Sequence, residues 1–215
     1  MISNFLSIRD SLPVAVKLVV ISKNRTVSEI QALYAQGHRT FGENRVQELL
    51  GKVPQLPADI DWHLVGHLQT NKVKQIVSLV KLIHSADSLK LLKEIDKASG
   101  LAGKKTGCLL QFHISQEQTK FGFDPFQAFR TAWQIQNENF INISIEGVMG
   151  MATLTNDTNQ IRNEFKALYL IYTSLATITG FLSGNIVSMG MSSDFRMAIE
   201  EGANMIRLGS ILFDN

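Results

Sequence analysis

Lys23 and Arg207, near opposite ends of the chain, are the side chains whose surroundings point most clearly to chemistry. Lys23 closely follows the apolar run 18–21, and Arg207 stands between two apolar residues, Ile206 and Leu208. An amine held beside apolar walls loses the solvation of its charged form, which favours the neutral nucleophile that Schiff-base chemistry needs. A buried guanidinium without a partner is strongly disfavoured, so we expect Arg207 to have a fixed hydrogen-bond acceptor.

The pattern around Arg207 also predicts where its side chain points. Strand alternation places Met205, Arg207 and Gly209 on one face and the intervening apolar residues on the other. If that other face meets helices, Arg207 points towards the interior of the sheet or barrel. Two alternatives stay open: Lys23 as a solvated lysine at a strand end, and Arg207 in a structural ion pair with an inward carboxylate such as Glu43.

Two segments that combine glycine with serine follow the last two predicted strands and could hold an anion. Residues 190–194 read Gly-Met-Ser-Ser-Asp and open a helix, and Gly209 and Ser210 follow the final strand. Backbone N–H groups at the start of a helix attract phosphate, and two such segments at adjacent strands favour that interpretation. Ser192 or Ser193 is also suited to cap the helix, so phosphate binding and simple capping both remain open.

Asn44, His63 and His84 are weaker candidates. Asn44 follows the second predicted strand and could cap the next helix or contact a ligand. His63 and His84 fall inside the third and fourth strands, where a histidine is more often a hydrogen-bonded core residue than a catalyst. The sequence has no HExxH, P-loop or GxSxG motif, and its histidines and single Cys108 show no metal-ligand spacing. No metal site is therefore predicted.

A regular alternation of short β-branched runs and longer amphipathic segments positions these residues. That alternation is typical of βα units with a parallel sheet. Eight strands fit a closed (β/α)8 TIM barrel in a single domain over residues 1–215, and a doubly wound open sheet is the alternative. In a barrel, binding groups gather just past the carboxyl ends of the strands. The predicted strands are residues 16–22, 39–42, 61–66, 82–86, 107–114, 143–151, 185–189 and 204–208.

Composition narrows the functional classes. The 215 residues are 45% hydrophobic and 19% charged, with a net charge of +2, which suits one sizeable core and gives little reason to expect nucleic-acid binding. No apolar run is long enough to span a membrane. One cysteine excludes an intramolecular disulfide, so a reducing, cytoplasmic compartment is the simplest interpretation.

Distinctive short motifs are spread along the chain. Residues 62–72 read Trp-His-Leu-Val-Gly-His-Leu-Gln-Thr-Asn-Lys, a combination that is hard to match by chance. The others are residues 20–23, 41–44 with 46–48, 84–87, 146–151, 188–194 and 206–210. Together these motifs resemble the pyridoxal phosphate homeostasis proteins, a family with the alanine-racemase type of barrel. The resemblance covers essentially the whole chain.

The resemblance implies a pyridoxal 5′-phosphate site and assigns its residues. It implies that Lys23 forms the internal aldimine and that Arg207 faces the pyridine nitrogen of the cofactor. An arginine does not readily protonate that nitrogen, so the ring stays a weaker electron sink than one facing a carboxylate. The positions that match the phosphate-holding residues are Ser192, Gly209 and Ser210, and those that match the lining of the ring are Asn44 and His63.

The implied function is a monomeric binding protein that holds pyridoxal phosphate and helps regulate its supply, with apo-enzymes as partners. A racemase or decarboxylase using the same cofactor is the alternative. Racemases of similar fold supply their second base as a tyrosine from an additional domain and a partner subunit. Tyr34, Tyr169 and Tyr172 all fall in predicted helices, and no additional domain is predicted. A third class is a cofactor-free barrel that acts on a phosphorylated metabolite through Lys23.

The chain departs from the family pattern near both ends. The helix before the first strand is predicted as a short remnant over residues 4–11, and Asp214 stands where the family commonly has a glycine. Both departures lie outside the cofactor contacts that the resemblance implies. We therefore expect them to affect packing at the bottom of the barrel more than binding.

Overall fold

Eight parallel strands close into a barrel in which each strand pairs with the next along the chain and the last pairs with the first. The computed structural model describes residues 1–117 and 121–213. The predicted (β/α)8 barrel is confirmed, and the doubly wound sheet is wrong because an open sheet would leave its outer strands unpaired. The strands are β1 (Lys17–Ile21), β2 (Thr40–Glu43), β3 (Asp61–Leu64), β4 (Leu82–Ala86), β5 (Thr106–Gln111), β6 (Ile143–Met149), β7 (Ile186–Ser188) and β8 (Met205–Leu208).

Helices alternate with the strands and bury their apolar faces against the outside of the barrel. The helix before β1 is slightly longer than the predicted remnant over residues 4–11, and Asp214 lies outside the described residues. The helices are α1 (Ile2–Ser11), α2 (Val27–Ala35), α3 (Val46–Lys52), α4 (Val73–Ile76), α5 (Leu89–Leu101), α6 (Ala128–Asn137), α7 (Thr158–Ala176), α8 (Phe195–Glu200) and α9 (Ser210–Phe213).

Side-chain caps begin several of the helices that cover the barrel, α2 and α7 among them. Thr26 and Glu29 form a capping box at α2, in which each side chain accepts the backbone N–H of the other residue. At α7, the Asp157 carboxylate accepts the backbone N–H groups of Asn159 and Gln160. These contacts satisfy donors that the first helical turn would otherwise leave unpaired.

The pairing of β1 with β8 determines which side chains enter the barrel. In this register Val19 lies opposite Arg207. Met205 and Val19 belong to the small apolar cluster inside the barrel, whereas Ile206 and Leu208 pack in the larger core between strands and helices. Arg207 therefore points into the barrel, as strand alternation predicts.

Residues 1–117 and 121–213 contain no candidate membrane span and no candidate metal cluster. No helix in these ranges is both long and apolar enough to cross a membrane. The same ranges contain no group of three or more His, Cys, Asp or Glu side chains placed to hold a metal ion.

Candidate ligand-binding site

A cavity of about 620 Å³ opens at the carboxyl ends of the strands. This is the end of a (β/α)8 barrel at which binding and catalytic groups gather. All the residues that the family resemblance assigns to the site line the cavity, with the exception of His63. Those that line it are Lys23, Asn44, Ser192, Arg207, Gly209 and Ser210.

Lys23 lies two residues beyond β1, and its side chain is exposed at the cavity wall. Apolar Ile21 and Val65 line the same cavity. Lys23 therefore lies beside apolar residues of the cavity and is exposed, which agrees with the alternative of a solvated lysine at a strand end. Within the described residues, the Lys23 amine has no hydrogen-bond or ion-pair partner, so it is available to a ligand.

Polar contacts hold the backbone on both sides of the cavity lysine. The ammonium of Lys52, on α3, donates to the carbonyl oxygen of Ser22 at 2.7 Å. It also donates to carboxylate oxygens of Glu43 at 2.7 Å and Glu48 at 3.3 Å. The Ser22 hydroxyl donates to Glu43 at 2.6 Å, and Glu48 accepts the backbone N–H of Asn24 at 2.8 Å. These contacts fix the residues that precede and follow the lysine.

Glu43 is the carboxylate that the sequence offered as a partner for Arg207. Alternation along β2 directs Gly42 and Asn44 inward and Glu43 outward, where it is fully buried against Lys52. The Arg207–Glu43 ion pair is therefore wrong. Burial raises the pKa of Glu43, and the hydrogen bond from Lys52 opposes that rise.

Arg207 borders the cavity and is held by two uncharged acceptors. Its Nη1 donates to the Ser188 hydroxyl oxygen at 2.7 Å, and its Nη2 donates to the Gly150 carbonyl oxygen at 3.0 Å. Burial lowers the pKa of Arg207 to about 10, while the Asp194 carboxylate acts in the opposite direction. The guanidinium thus remains a cation at neutral pH, and its other N–H groups are available to an acceptor in the cavity.

His63 is buried within β3 and does not line the cavity. Its Nδ1 lies 3.0 Å from Nε2 of His84, and Nδ1 of His84 lies 3.1 Å from the Ser188 hydroxyl oxygen. The structure therefore connects His63 to a partner of Arg207 instead of bringing it to the cavity wall. Both histidines are hydrogen-bonded core residues, which is the common role of a histidine inside a strand.

The segment after β7 brings Ser192 to the cavity without using it as a helix cap. The N-cap of α8 is Asp194 rather than Ser192 or Ser193. The Asp194 carboxylate accepts the backbone N–H of Met191 at 2.6 Å, which closes the turn. At Gly190, φ is +94° and a Cβ would lie 2.7 Å from a side-chain atom of α8, so only glycine fits this turn.

The segment after β8 adds a second pair of groups to the same cavity. Gly209 follows the strand, and Ser210 begins α9. In the described part of the chain, neither the Ser192 hydroxyl nor the Ser210 hydroxyl has a protein hydrogen-bond partner. Two hydroxyls and two glycine-containing turns are therefore available to an anion.

A stacked pair of rings, which the sequence did not suggest, forms another part of the wall. The rings of His67 and Phe121 lie 3.7 Å apart between centroids, with 14° between their planes. Nδ1 of His67 lies 2.9 Å from an oxygen of Asp87, and the Gln111 amide donates to the Phe121 carbonyl at 2.8 Å. His67 lies in the motif 62–72, which was a usable signal. No local pattern pairs it with Phe121, which comes from a different loop.

Asn44 is held at the cavity by a close approach between the ends of two strands. A Cβ at Gly66 would overlap the carbonyl oxygen of Asn44, so only glycine lets the two segments pass this closely. The N-cap of α3 is Arg45. Asn44 is therefore not used as the helix cap and lines the cavity.

The fold and cavity define a (β/α)8 barrel that presents a lysine, a buried arginine and two serine-bearing turns in one site. The family model described as alanine racemase, N-terminal domain, matches residues 1–214. A relative from Helicobacter pylori strain J99, named pyridoxal phosphate homeostasis protein, is 37% identical over 200 residues, which cover 92% of this chain and 87% of the relative. The chain belongs to the family of pyridoxal phosphate homeostasis proteins.

Two solved structures of PipY from Synechococcus elongatus are also similar to this chain. The one described as without PLP has a TM-score of 0.93 and 35% identity, covering 99% of this chain and 100% of PipY. The one described as having PLP bound has a TM-score of 0.88 and 34% identity, covering 98% of each chain. PipY and this chain thus share the barrel over essentially their whole lengths.

Lys52→Met should destabilise the protein in a pH-dependent way. The variant keeps an aliphatic chain but leaves Glu43 buried without its cation, and breaking a buried pair in this way costs about 3–5 kcal/mol. Because burial holds the folded-state pKa of Glu43 above its unfolded value, the penalty grows as the pH rises through the folded pKa. Urea unfolding at about pH 5 and about pH 8 should show the larger loss at the higher pH.

Lys90→Met, at an exposed position of α5, is the matched control and should change the free energy of unfolding by less than about 0.5 kcal/mol at either pH. An equal loss of stability at both pH values in Lys52→Met would contradict the assigned role of the ion pair.

Proposed function

We propose that this protein binds pyridoxal 5′-phosphate in the cavity and takes part in its homeostasis, with the cofactor attached to Lys23 as a Schiff base. The observation that carries the proposal is the meeting in one cavity of the unpartnered Lys23 amine, the buried Arg207 guanidinium and two serine-bearing turns. The PipY structure with PLP bound, a close match in fold and length, supports the same ligand here.

The residues of the cavity fit the chemical groups of pyridoxal phosphate, which carries an aldehyde, a ring nitrogen and a phosphate. Lys23 supplies the amine, whose nitrogen joins the aldehyde carbon with the release of water. Arg207 only donates hydrogen bonds, so it suits a ring nitrogen that is an acceptor. Ser192, Gly209 and Ser210 supply hydroxyl and backbone N–H groups to the phosphate.

Asn44 and His63 complete the proposed set in different ways. Asn44 lines the cavity and can contact the ring directly. His63 contributes through His84 and Ser188, because it does not reach the cavity. The bound cofactor supplies an electron sink, which Arg207 keeps weak by leaving the ring nitrogen without a proton.

A role in binding and supply is favoured over turnover by the residues around the cavity. The three tyrosines of the chain lie on α2 and α7, and none of them lines the cavity. A two-base racemase needs a second acid–base group facing the lysine, and among the described residues of the cavity wall His67 is the candidate. The match to the alanine racemase N-terminal domain model makes a racemase or decarboxylase the alternative. Turnover of alanine that disappears in Lys23→Ala would establish that alternative.

The proposal extends to the state and partners of the protein. We take residues 1–215 as a single domain that acts as a monomer in the cytoplasm, where the buried Cys108 thiol stays reduced. Apo-enzymes that use pyridoxal phosphate are the proposed recipients. Light scattering should give the mass of one chain, and the loaded protein should restore the activity of such an apo-enzyme. A dimer mass contradicts the monomer, and a failure to reactivate contradicts the recipients.

Replacing Lys23 should abolish the colour of the complex. With pyridoxal phosphate added, the wild type should turn yellow and absorb near about 420 nm, as Schiff bases of this cofactor do, while Lys23→Ala should not. Lys17→Ala, at the other end of β1, is the matched control and should bind as the wild type does. Borohydride reduction followed by peptide mapping should locate the label on Lys23.

A Lys23→Ala variant that is yellow would remove Lys23 from the proposed role. A wild type that stays colourless with added pyridoxal phosphate would instead favour a cofactor-free barrel acting on a phosphorylated metabolite.

Ser210→Asp should weaken pyridoxal phosphate binding by at least about tenfold, because the new carboxylate repels the phosphate at close range. Ser210→Ala should cost less, since it removes one hydroxyl without adding charge. Ser11→Asp, on an exposed part of α1, controls for the change in net charge. Equilibrium dialysis measures all three affinities, and an unchanged affinity in Ser210→Asp would exclude Ser210 from the phosphate site.

A further inference from the structure

A continuous line of hydrogen bonds runs through the barrel interior from Arg207 to His63. Arg207 contacts the Ser188 hydroxyl oxygen at 2.7 Å, which lies 3.1 Å from Nδ1 of His84, whose Nε2 lies 3.0 Å from Nδ1 of His63. All four side chains are buried, and much of the barrel interior around them is apolar. We call Arg207, Ser188, His84 and His63 the interior chain.

The arginine determines the direction of every hydrogen bond in the interior chain. A guanidinium only donates, so the Ser188 oxygen accepts from Arg207. Among the described residues, the Ser188 hydroxyl hydrogen has a single acceptor, Nδ1 of His84. A proton on that nitrogen would leave the hydroxyl hydrogen buried without a partner, which is unfavourable. His84 therefore carries its proton on Nε2 and donates it to Nδ1 of His63.

This order requires both histidines to be neutral, and their surroundings keep them so. Burial lowers the pKa of His63 to about 4, with the nearby Asp61 opposing and Lys81 and Lys17 adding to the decrease. Burial also holds the pKa of His84 well below its ordinary value, and its neighbours His63 and Arg207 act in the same direction, since a proton on His84 would lie close to both.

We propose that Ser188, His84 and His63 are positioning residues for Arg207. Their one-way hydrogen bonds, together with the Gly150 carbonyl, fix the plane of the guanidinium and leave its remaining N–H groups to an acceptor in the cavity. Without the Ser188 oxygen, the guanidinium keeps only one of these two anchors and can turn about it. The inference rests on the proposed function for the identity of the ligand, but the proton order of the interior chain does not depend on any ligand.

Ser85 provides a matched control for Ser188. Both serines are fully buried on barrel strands, and Ser85 adjoins His84 in β4. The Ser85 hydroxyl has no hydrogen-bond partner within the described residues. A Ser85→Ala substitution therefore removes a buried hydroxyl without breaking a bond of the interior chain.

The first experiment uses the ligand-free protein. Nitrogen-15 NMR at neutral pH should show His63 and His84 as neutral imidazoles protonated on Nε2. In Arg207→Met the guanidinium donor is gone, so the Ser188 oxygen can instead accept a hydrogen bond from His84. The tautomer populations of both histidines should therefore change. A wild type protonated on Nδ1, or tautomers unaffected by Arg207→Met, would overturn the proposed order.

The second experiment measures pyridoxal phosphate binding. Ser188→Ala should weaken binding about tenfold and shift the visible band of the complex, because Arg207 no longer holds its place at the ring. Ser85→Ala should change affinity less than about twofold and leave the band in place. Ser188→Thr retains the hydroxyl and should restore most of the affinity. Inorganic phosphate should bind to all of these variants equally, because the interior chain acts on the ring.

Equal losses of pyridoxal phosphate affinity in Ser188→Ala and Ser85→Ala would show that Ser188 acts only through packing. That result would overturn its positioning role. If the wild type bound no pyridoxal phosphate, the proposed function would fail, whereas the tautomer measurement would still decide whether the interior chain is ordered as inferred.

Discussion

The pairing of β1 with β8 is the contact on which the site depends. It joins two segments from near the ends of the chain in a register that sets Val19 opposite Arg207. Because side chains alternate along both strands, this register turns Arg207 inward, and the segments beyond the two strands bring Lys23 and Ser210 to one cavity. A slip of one residue would turn Arg207 towards the helices and place its apolar neighbours inside. The hydrophobic pattern of β8 thus fixes the geometry of the polar site.

Lys52 and Arg207 are buried cations on opposite faces of the sheet, and they differ in the charge of their hydrogen-bond acceptors. Lys52, between strands and helices, is bound by two carboxylates and a carbonyl, so its charge is compensated within the protein. Arg207, inside the barrel, is bound by a hydroxyl and a carbonyl, neither of which carries a charge. Burial of a cation with only neutral contacts is costly, and an electron-rich ligand in the cavity reduces that cost. The first arrangement is completed within the protein, and the second leaves N–H groups of Arg207 unused at the cavity.

The sequence predicted the number and order of strands, because short apolar segments alternate with longer amphipathic segments along the chain. The prediction of the carboxyl ends of the strands was less accurate. The sequence predicts that β3 reaches residue 66, but it ends at Leu64. It also predicts that β6 reaches residue 151, but β6 ends at Met149. Val65 and Met151 continue the apolar pattern as cavity walls rather than as strand residues. Apolar residues occur both in the strands and in the cavity wall. The hydrophobic pattern therefore does not show at which residue the hydrogen bonds between strands end.

The position of a residue at the cavity was predictable where the residue and its strand suffice, as for Lys23 and Arg207, and not where a contact joins segments distant in the chain. The stack of His67 on Phe121 and the contacts of Lys52 with Ser22 are of the second kind. Spacing along the chain carries no information about either pair.

The short motifs of the chain contain two kinds of residue: those that line the cavity and those that hold the lining residues in place. In the motif 41–44, Asn44 faces the cavity, while its neighbour Glu43 points outward to the cation that holds the lysine segment in place. In the motif 188–194, Ser192 lines the cavity, while Ser188 lies inside the barrel and anchors Arg207. In the motif 41–44 this division follows from strand alternation, and in the motif 188–194 it follows from the end of β7 at Ser188, beyond which the chain reaches the cavity. Once the strand register is known, the residues that support the cavity can therefore be identified close in sequence to those that line it.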